Sequence, residues 1–292
     1  MLNQYCKEKV MLIETAMQQL IPQSHPYSQT LFDAMNYSLF AGGKRLRPIL
    51  LMASAEAVGG NGTAYLPVAC SLEMIHTYSL IHDDLPAMDN DDYRRGKLTN
   101  HMVFGDGMAI LAGDALLTAA FEAALAQPDV EPGRLLKAVQ EIAVAAGAQG
   151  MVGGQAVDLT SEGKVLDADT LRFMHQAKTG ALFRAAIRAG AILAGASAEE
   201  LQLLTQYAEQ FGLAFQITDD ILDVVGSQEI IGKPIGSDEK NNKATYVTIY
   251  GLENAKIMAQ QAVVEALSCL QPFGSKADIL HQMANYLITR NS

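Results

Sequence analysis

The chain has 292 residues, of which 49% are hydrophobic and 18% are charged, and its formal net charge is −11. This composition excludes disordered, collagen-like and disulfide-rich proteins, and the acidic balance argues against nucleic-acid binding, which usually needs a basic face. Cys6, Cys70 and Cys269 form no CxxC pair, so we expect free thiols in a reducing cytoplasm. The first residues lack a basic-then-apolar signal pattern, and we see no run of about twenty apolar residues, so we expect no membrane span.

Helix-forming residues dominate the segments between the breakers, which lie at 59–62, 127–133 and 226–242. Apolar residues recur there at spacings of three and four, as in amphipathic helices. We predict about ten helices, near 3–20, 28–41, 46–58, 64–84, 107–126, 134–160, 168–195, 198–225, 244–269 and 275–289. No alternating pattern indicates a sheet, and the segment 244–250 has strand propensity but no partner. We therefore expect one all-α domain over residues 1–292.

A first acidic cluster follows the apolar helix predicted near 64–84. Asp83 and Asp84 close this helix, although a helix C-terminus carries partial negative charge and favours Lys or Arg. Asp89, Asp91 and Asp92 come directly after them. A solvated acidic loop is the more common explanation for such a cluster on its own.

A second acidic cluster lies inside a predicted helix. Asp219 and Asp223 are one turn apart, and Gln216 lies one turn before them. The other neighbours are apolar, and a buried carboxylate is costly unless a cation or hydrogen bonds compensate it. Two such clusters predict a shared site for several cations. Oxygen ligands without nearby His or Cys suit Mg²⁺ bound together with substrate phosphates, whereas neither cluster has the loop of a calcium site.

Basic residues accompany both acidic clusters. Residues 42–48 place Lys44, Arg45 and Arg47 at a helix start, where the helix dipole disfavours cations unless an anion binds. Further basic residues follow the two clusters, at Arg94, Arg95, Lys97, Lys233, Lys240 and Lys243. Taken alone, an exposed basic turn or surface ion pairing explains them equally well. Beside a metal-bound diphosphate, the same arginines would make strong bidentate contacts.

The motifs together resemble one family. With DDLPAMD at 83–89, DDILD at 219–223 and GGKRLRP at 42–48, the chain resembles the trans-isoprenyl diphosphate synthases, most of all the short bacterial farnesyl diphosphate synthases. The resemblance runs from about residue 30 onward. It implies an all-α bundle around a central cavity, usually in a homodimer. It also implies an enzyme that joins isopentenyl diphosphate to an allylic diphosphate and releases pyrophosphate, with two or three Mg²⁺ ions.

The resemblance assigns roles to individual residues. The Mg²⁺ carboxylates would be Asp83, Asp84, Asp89, Asp219, Asp220 and Asp223. The isopentenyl diphosphate ligands would be Gly43, Lys44, Arg47, His76 and Arg95. The allylic diphosphate side would include Arg94, Lys178, Thr179, Gln216, Lys233 and Lys243. Of these, Lys178, Thr179 and Gln216 would be catalytic, with the oxygens of Thr179 and Gln216 facing the developing carbocation.

Product length is expected to depend on the residue five positions before Asp83. Here it is Tyr78, with the small Ser79 beside it. In the family, an aromatic residue there, together with the bacterial insertion at Pro86 and Ala87, goes with a C15 product. Geranyl and geranylgeranyl diphosphate remain alternative products. Weaker alternatives are a terpene cyclase, a non-catalytic partner subunit and a diphosphate hydrolase. A terpene cyclase needs no second diphosphate site.

Overall fold

The computed structural model describes residues 1–161, 163–164, 166–225 and 244–289. These residues are almost entirely helical, which confirms the predicted all-α class. The α-helices are α1 (Leu2–Leu20), α2 (Gln29–Leu39), α3 (Leu46–Ala57), α4 (Leu66–Asp83), α5 (Asn100–Phe104), α6 (Asp106–Leu125), α7 (Pro132–Ala146), α8 (Met151–Ser161), α9 (Ala168–His175), α10 (Ala181–Ala194), α11 (Ala198–Val225), α12 (Tyr246–Tyr250), α13 (Leu252–Cys269) and α14 (Asp278–Thr289). A π-helical turn, Gln176–Gly180, joins α9 to α10.

Several details differ from the sequence-based expectation. The short helix α5 was not predicted, and the helix predicted near 168–195 contains the π-helical turn. The helix predicted near 134–160 is interrupted between Ala146 and Met151. The helix predicted near 244–269 is interrupted at Gly251, whose φ of 79° suits glycine. The expectation of no sheet was wrong in one small hairpin, where β1 (Tyr93–Arg94) pairs antiparallel with β2 (Lys97–Leu98).

The shortness of the hairpin explains why the sequence pattern does not predict it. Its two strands have two residues each, too short for an alternating pattern to show. Arg95 and Gly96 form the turn with φ values of 54° and 75°. Positive φ at both central positions is the geometry of the tight hairpin turns whose twist matches paired strands. The turn fixes the backbone positions of Arg94 and Arg95, the two arginines that follow the first acidic cluster.

Helices α4 and α11 carry the two acidic motifs. Helix α4 packs against α1, α3 and α6, and most of its residues are buried. Helix α11 has 28 residues and packs against α10, α13 and α14. A main core surrounds α4 and α10, and a second, smaller core joins α9 to the end of α11 and to α12 and α13. The acidic residues therefore end two well-packed helices, which fixes their backbone positions.

Helix α6 combines an apolar composition with an exposed face. It has 20 residues, a mean hydropathy of 1.6 over its most apolar window, and 39% of that window buried. It is thus long and apolar enough, by length and composition alone, to cross a membrane, although Asp114 and Glu122 interrupt it. The core helix of a soluble protein passes the same test, so the expectation of no membrane span is neither confirmed nor overturned.

Candidate active site

The second aspartate of the first motif is held by an arginine. Asp84 is only 3% exposed, and its Oδ1 accepts a hydrogen bond from Arg94 Nε at 2.6 Å and forms an ion pair with Arg94 Nη2 at 2.5 Å. Arg94 Nη2 also lies 3.5 Å from Asp91 Oδ2. Burial alone would lower the pKa of Arg94, but its hydrogen bond to Asp84 and the nearby carboxylates outweigh burial and raise that pKa. Arg94 therefore stays charged at the end of α4.

The first aspartate of the same motif is in a less balanced environment. Burial raises the pKa of Asp83 to about 6, the charge of Lys178 opposes that shift, and Asp89 adds to it. The chain turns back after α4, where the backbone N–H of Asp89 donates to the Asp83 carbonyl at 2.9 Å. Asp83 and Asp89 thus repel each other in a partly desolvated position. A bound cation would relieve this repulsion.

Arg47, at the start of α3, interacts electrostatically with the second acidic motif. Its guanidinium lies over the Phe183 ring, 4.7 Å from the centroid. Burial lowers the pKa of Arg47 to about 10, the charge of Glu73 opposes this, Arg95 adds to it and Asp219 opposes it again. Arg47 Nε has no hydrogen-bond partner among the residues described. Arg47 is therefore a buried cation with at least one unused hydrogen-bond donor. The charge of Asp219 also affects its pKa.

His76 and Arg95 complete the basic cluster. Burial, followed by the charges of Arg47 and Arg95, lowers the pKa of His76 well below its ordinary value. Arg95 Nη1 donates to the Gly42 carbonyl. A Cβ atom on Gly43 would lie 2.6 Å from Arg95 Nη1, so the glycine allows this close approach. The cluster places a neutral imidazole among arginines, as expected of a pocket for an anion.

Arg45 differs from its neighbours in the basic motif. Its side chain is fully buried, and its Nη1 donates to Glu73 Oε1 at 2.8 Å while its Nη2 donates to the Leu39 carbonyl at 2.7 Å. Arg45 therefore anchors α3 to α4. Lys44, by contrast, lies exposed in the loop before α3.

The second motif lies within the last turns of α11. Asp220 is 3% exposed; its Oδ2 accepts from the Tyr246 backbone N–H and its Oδ1 from Gln216 Nε2, both at 2.8 Å. Asp223 is also buried, whereas Asp219 is half-buried and acts on Arg47. Asp220 thus fixes α12 against α11, and Gln216 helps to hold it. Gln216 also lines a cavity of about 380 Å³ with Gly180, His175 and Tyr246.

Lys178 and Thr179 lie in the π-helical turn between α9 and α10. Such single turns often occur at functional sites. Lys178 Nζ donates to Asp158 Oδ2 of α8 at 2.6 Å, and Lys178 also acts on Asp83. The sequence analysis missed Asp158. No sequence pattern pairs it with Lys178, because the two residues come together only by packing. Gly154, one turn before Asp158, allows that packing, since a Cβ there would be 2.2 Å from the Lys178 backbone nitrogen.

The donor set fits magnesium bound together with a substrate. Within the described ranges, no group of three or more His, Cys, Asp or Glu side chains is close enough to hold a metal without other ligands. Asp83 and Asp89, and separately Asp219, can each supply one or two oxygens, which suits Mg²⁺ that keeps waters and takes phosphate oxygens. The predicted ligands Lys233 and Lys243 lie outside the described residues.

Tyr78 and Ser79, the residues predicted to set product length, lie on α4 within two turns before Asp83. Tyr78 is 6% exposed, and its ring meets the His82 ring edge to face at a centroid distance of 5.7 Å. Ser79 is half-buried, and its hydroxyl donates to the His76 carbonyl at 2.9 Å. Burial, with a smaller contribution from Asp83, raises the pKa of Tyr78. Tyr78 is thus a buried, neutral aromatic side chain near the first acidic motif.

The family model described as polyprenyl synthetase matches residues 28–286. The chain belongs to this family. It is therefore a trans-prenyltransferase, and the resemblance drawn from the motifs is confirmed. A farnesyl diphosphate synthase of Geobacillus stearothermophilus is 50% identical over 256 residues, 87% of this chain and 86% of that protein.

Other relatives in the polyprenyl synthetase family carry different product names. A geranylgeranyl diphosphate synthase of Cyanophora paradoxa is 47% identical over 290 residues, 99% of this chain and 96% of that protein. The crystal structure of an FPP/GFPP synthase from Zymomonas mobilis superposes with a TM-score of 0.89 at 39% identity, covering 98% of both chains. The comparisons thus establish the reaction class without deciding the product length.

Proposed function

We propose that this prenyltransferase condenses isopentenyl diphosphate with dimethylallyl and then geranyl diphosphate, and that its main product is (2E,6E)-farnesyl diphosphate. The observation that carries the proposal is the electrostatic link between the two acidic motifs and the basic residues. Lys178 acts on Asp83, and Arg47 acts on Asp219. The two pairs are connected through His76, on which Arg47 and Arg94 both act, and through Asp83, which acts on Arg94. These interactions support one charged site built from α3, α4, α11 and the π-helical turn.

We assign the acidic residues and two of the basic residues to the allylic diphosphate. We assign the metal-binding role to Asp83, Asp89 and Asp219, with Asp84, Asp220 and Asp223 beside them. Bound Mg²⁺ would supply Lewis-acid stabilisation of the departing pyrophosphate. Arg94 and Lys178 add positive charge on the allylic side. Without this neutralisation the allylic C–O bond would not ionise at a useful rate.

The remaining side chains orient the second substrate and shield the cation. We assign isopentenyl diphosphate binding to Gly43, Lys44, Arg47, His76 and Arg95. Fixing the diphosphate there holds the alkene in near-attack geometry. The Thr179 hydroxyl and the Gln216 carbonyl are oriented dipoles for the developing positive charge. The proton lost at the end is assigned to the pyrophosphate, because no side chain in the motifs is an evident base.

The choice of a C15 product rests on Tyr78. At 1.5 Å per residue, Tyr78 lies about 7–8 Å before Asp83 along α4. The growing chain is elongated at the metal end, so its apolar tail moves toward this ring. Relatives named for both farnesyl and geranylgeranyl products are about equally similar, so the ring decides the proposal.

One assay tests the function. Purified protein is supplied with Mg²⁺, labelled isopentenyl diphosphate and either dimethylallyl or geranyl diphosphate, and the products are separated by length. We expect mainly C15 material from both primers. Accumulation of C10 or C20 product would replace the farnesyl assignment with the geranyl or geranylgeranyl one. A cyclised hydrocarbon, or pyrophosphate release without condensation, would contradict the prenyltransferase site.

We further propose that the chain acts as a cytoplasmic homodimer formed by one domain. The support is the outer face of α6, where Ile110 and Leu111 are 45% and 53% exposed. Large apolar side chains on one helix commonly mark a contact surface, and a second copy of α6 would cover them. Sedimentation of wild type and Leu111→Glu tests this, since the variant should shift to a monomer.

A further inference from the structure

A glycine of α6 lies directly against the ring that contacts Tyr78. A Cβ atom on Gly113 would lie 2.2 Å from His82 Nε2 and 2.5 Å from its Cδ2. Side chains do not approach this closely, so the His82 ring fills the space that a side chain at position 113 would take. His82 and Tyr78 are four residues apart on α4 and therefore share one face of the helix.

The His82 ring is fixed from two sides. Its Nε2–H donates to the Ile110 carbonyl of α6 at 3.0 Å, which also sets the tautomer of the ring. The same Nε2 lies 3.9 Å from Asp114 Oδ1, also on α6. On another side the ring meets the Tyr78 ring, at an interplanar angle of 79° and a centroid distance of 5.7 Å. The position of the Tyr78 ring therefore depends on an imidazole that is bonded to the α6 backbone.

We propose that His82, seated on Gly113, positions the Tyr78 ring and thereby sets the length at which chain growth stops. The inference rests on the proposed role of Tyr78 as the floor of the cavity and deepens it. Loss of the imidazole lets Tyr78 move toward α6 and lengthens the space for the product. A methyl group at position 113 drives the imidazole, and Tyr78 with it, away from α6 and shortens that space.

Product length is measured for wild type, His82→Ala, Gly113→Ala and the double variant at equal, limiting dimethylallyl diphosphate. For His82→Ala we expect the ratio of longer products to the wild-type product to rise about two- to tenfold, the range that an aromatic pair supports. For Gly113→Ala we expect a similar shift toward shorter products. The double variant should match His82→Ala, because the new methyl group no longer meets a ring.

Matched variants separate positioning from general damage. Gly107→Ala, also on α6, adds a Cβ that meets nothing within 4 Å, so its product pattern should equal that of wild type. His82→Phe keeps a ring against Tyr78 but loses the bond to Ile110, so it should restore the product length toward wild type. The kcat and KM for the first condensation should stay within about twofold in His82→Ala.

Two results would overturn the inference. One is a wild-type product distribution in folded, active His82→Ala. The other is a Gly113→Ala effect of the same size with and without His82. If Gly113→Ala does not fold, His82→Ala and His82→Phe decide alone.

Tyr78→Ala separates this inference from the proposed function. An unchanged product length in Tyr78→Ala would show that Tyr78 is not the floor of the cavity, and it would therefore also reject the role of His82. A longer product in Tyr78→Ala beside an unchanged one in His82→Ala would overturn the role of His82 alone. The wild-type product independently tests the farnesyl assignment.

Discussion

The two aspartate pairs, at the end of α4 and within α11, have the same residues in different surroundings. Asp84 and Asp220, the second members, are each 3% exposed and hydrogen-bonded to neighbouring groups. Asp83 and Asp219, the first members, are half-buried and act on cationic side chains from other helices. In both pairs the second carboxylate is held by neighbouring groups, and we propose that the first contributes to the shared site.

The partners of the second carboxylates distinguish the two regions. Asp84 is paired with Arg94, a cation that we also assign to the substrate. Asp220 is held by neutral donors, the Gln216 amide and the Tyr246 backbone N–H. The end of α4 therefore combines anchoring and substrate binding in one ion pair. In α11, Asp220 has the anchoring role, and the metal-binding role that we propose belongs to Asp219.

The largest expected effect concerns Asp83 and Asp219, the first aspartates of the two pairs. Asp83→Asn and Asp219→Asn should each lower kcat by about a hundredfold or more, because each removes a charge that stabilises the metal ions. Circular dichroism should stay unchanged. The measurement is steady-state turnover at saturating Mg²⁺, and near-wild-type turnover in either variant would rule out a shared site.

Cations on the two sides should fail in different ways. Arg47→Ala should raise the KM for isopentenyl diphosphate, whereas Lys178→Ala should lower kcat with geranyl diphosphate, each by about ten- to a hundredfold. Lys256→Ala is a matched control, because Lys256 forms an exposed pair with Glu253 on α13. If Arg47→Ala weakened only the allylic substrate, the two pockets would be assigned the wrong way round.

The sequence was sufficient for the helices and the acidic motifs. Strong helix propensity and spacings of three and four located α1 to α4 and α6 to α11 within a few residues, except where short interruptions carry no periodic signal. The five-residue helix α5 was not predicted, because it is too short to show a period. It could not distinguish Asp219 from Asp220, because adjacent aspartates in a buried helix look alike. Their roles depend on Tyr246, which is distant in sequence and brought close only by packing.

A stability difference should reveal the anchoring role of Asp220. Asp220→Ala leaves the Gln216 amide and the Tyr246 N–H without their acceptor, and we expect the free energy of unfolding to fall by about 2–4 kcal/mol. Asp33→Ala, at an exposed position of α2, should change it by less than about 0.5 kcal/mol. Urea unfolding measures both. Equal stabilities would show that Asp220 does not anchor α12.

The smallest expected effect concerns pH. Burial lowers the pKa of His175 to about 4, although Asp158 opposes the shift, whereas the unfolded chain titrates near 6.5. Between these values the unfolded chain binds more protons, so stability falls as pH decreases from about 6.5 toward 4. His175→Phe keeps a ring beside Tyr246 and does not titrate. Between pH 7 and 5 this variant should lose about 2 kcal/mol less than wild type, and parallel stability curves would argue against a neutral His175.

The central claim is that Asp83 and Asp219 act on one and the same allylic diphosphate through bound Mg²⁺. Calorimetric binding of a non-ionisable geranyl thiolodiphosphate, with and without Mg²⁺, tests it in wild type, Asp83→Asn, Asp219→Asn and the double variant. We expect each single variant to lose most of the Mg²⁺-dependent affinity and the double variant to lose little more. Losses that multiply in the double variant, or wild-type affinity in either single variant, would contradict a shared site.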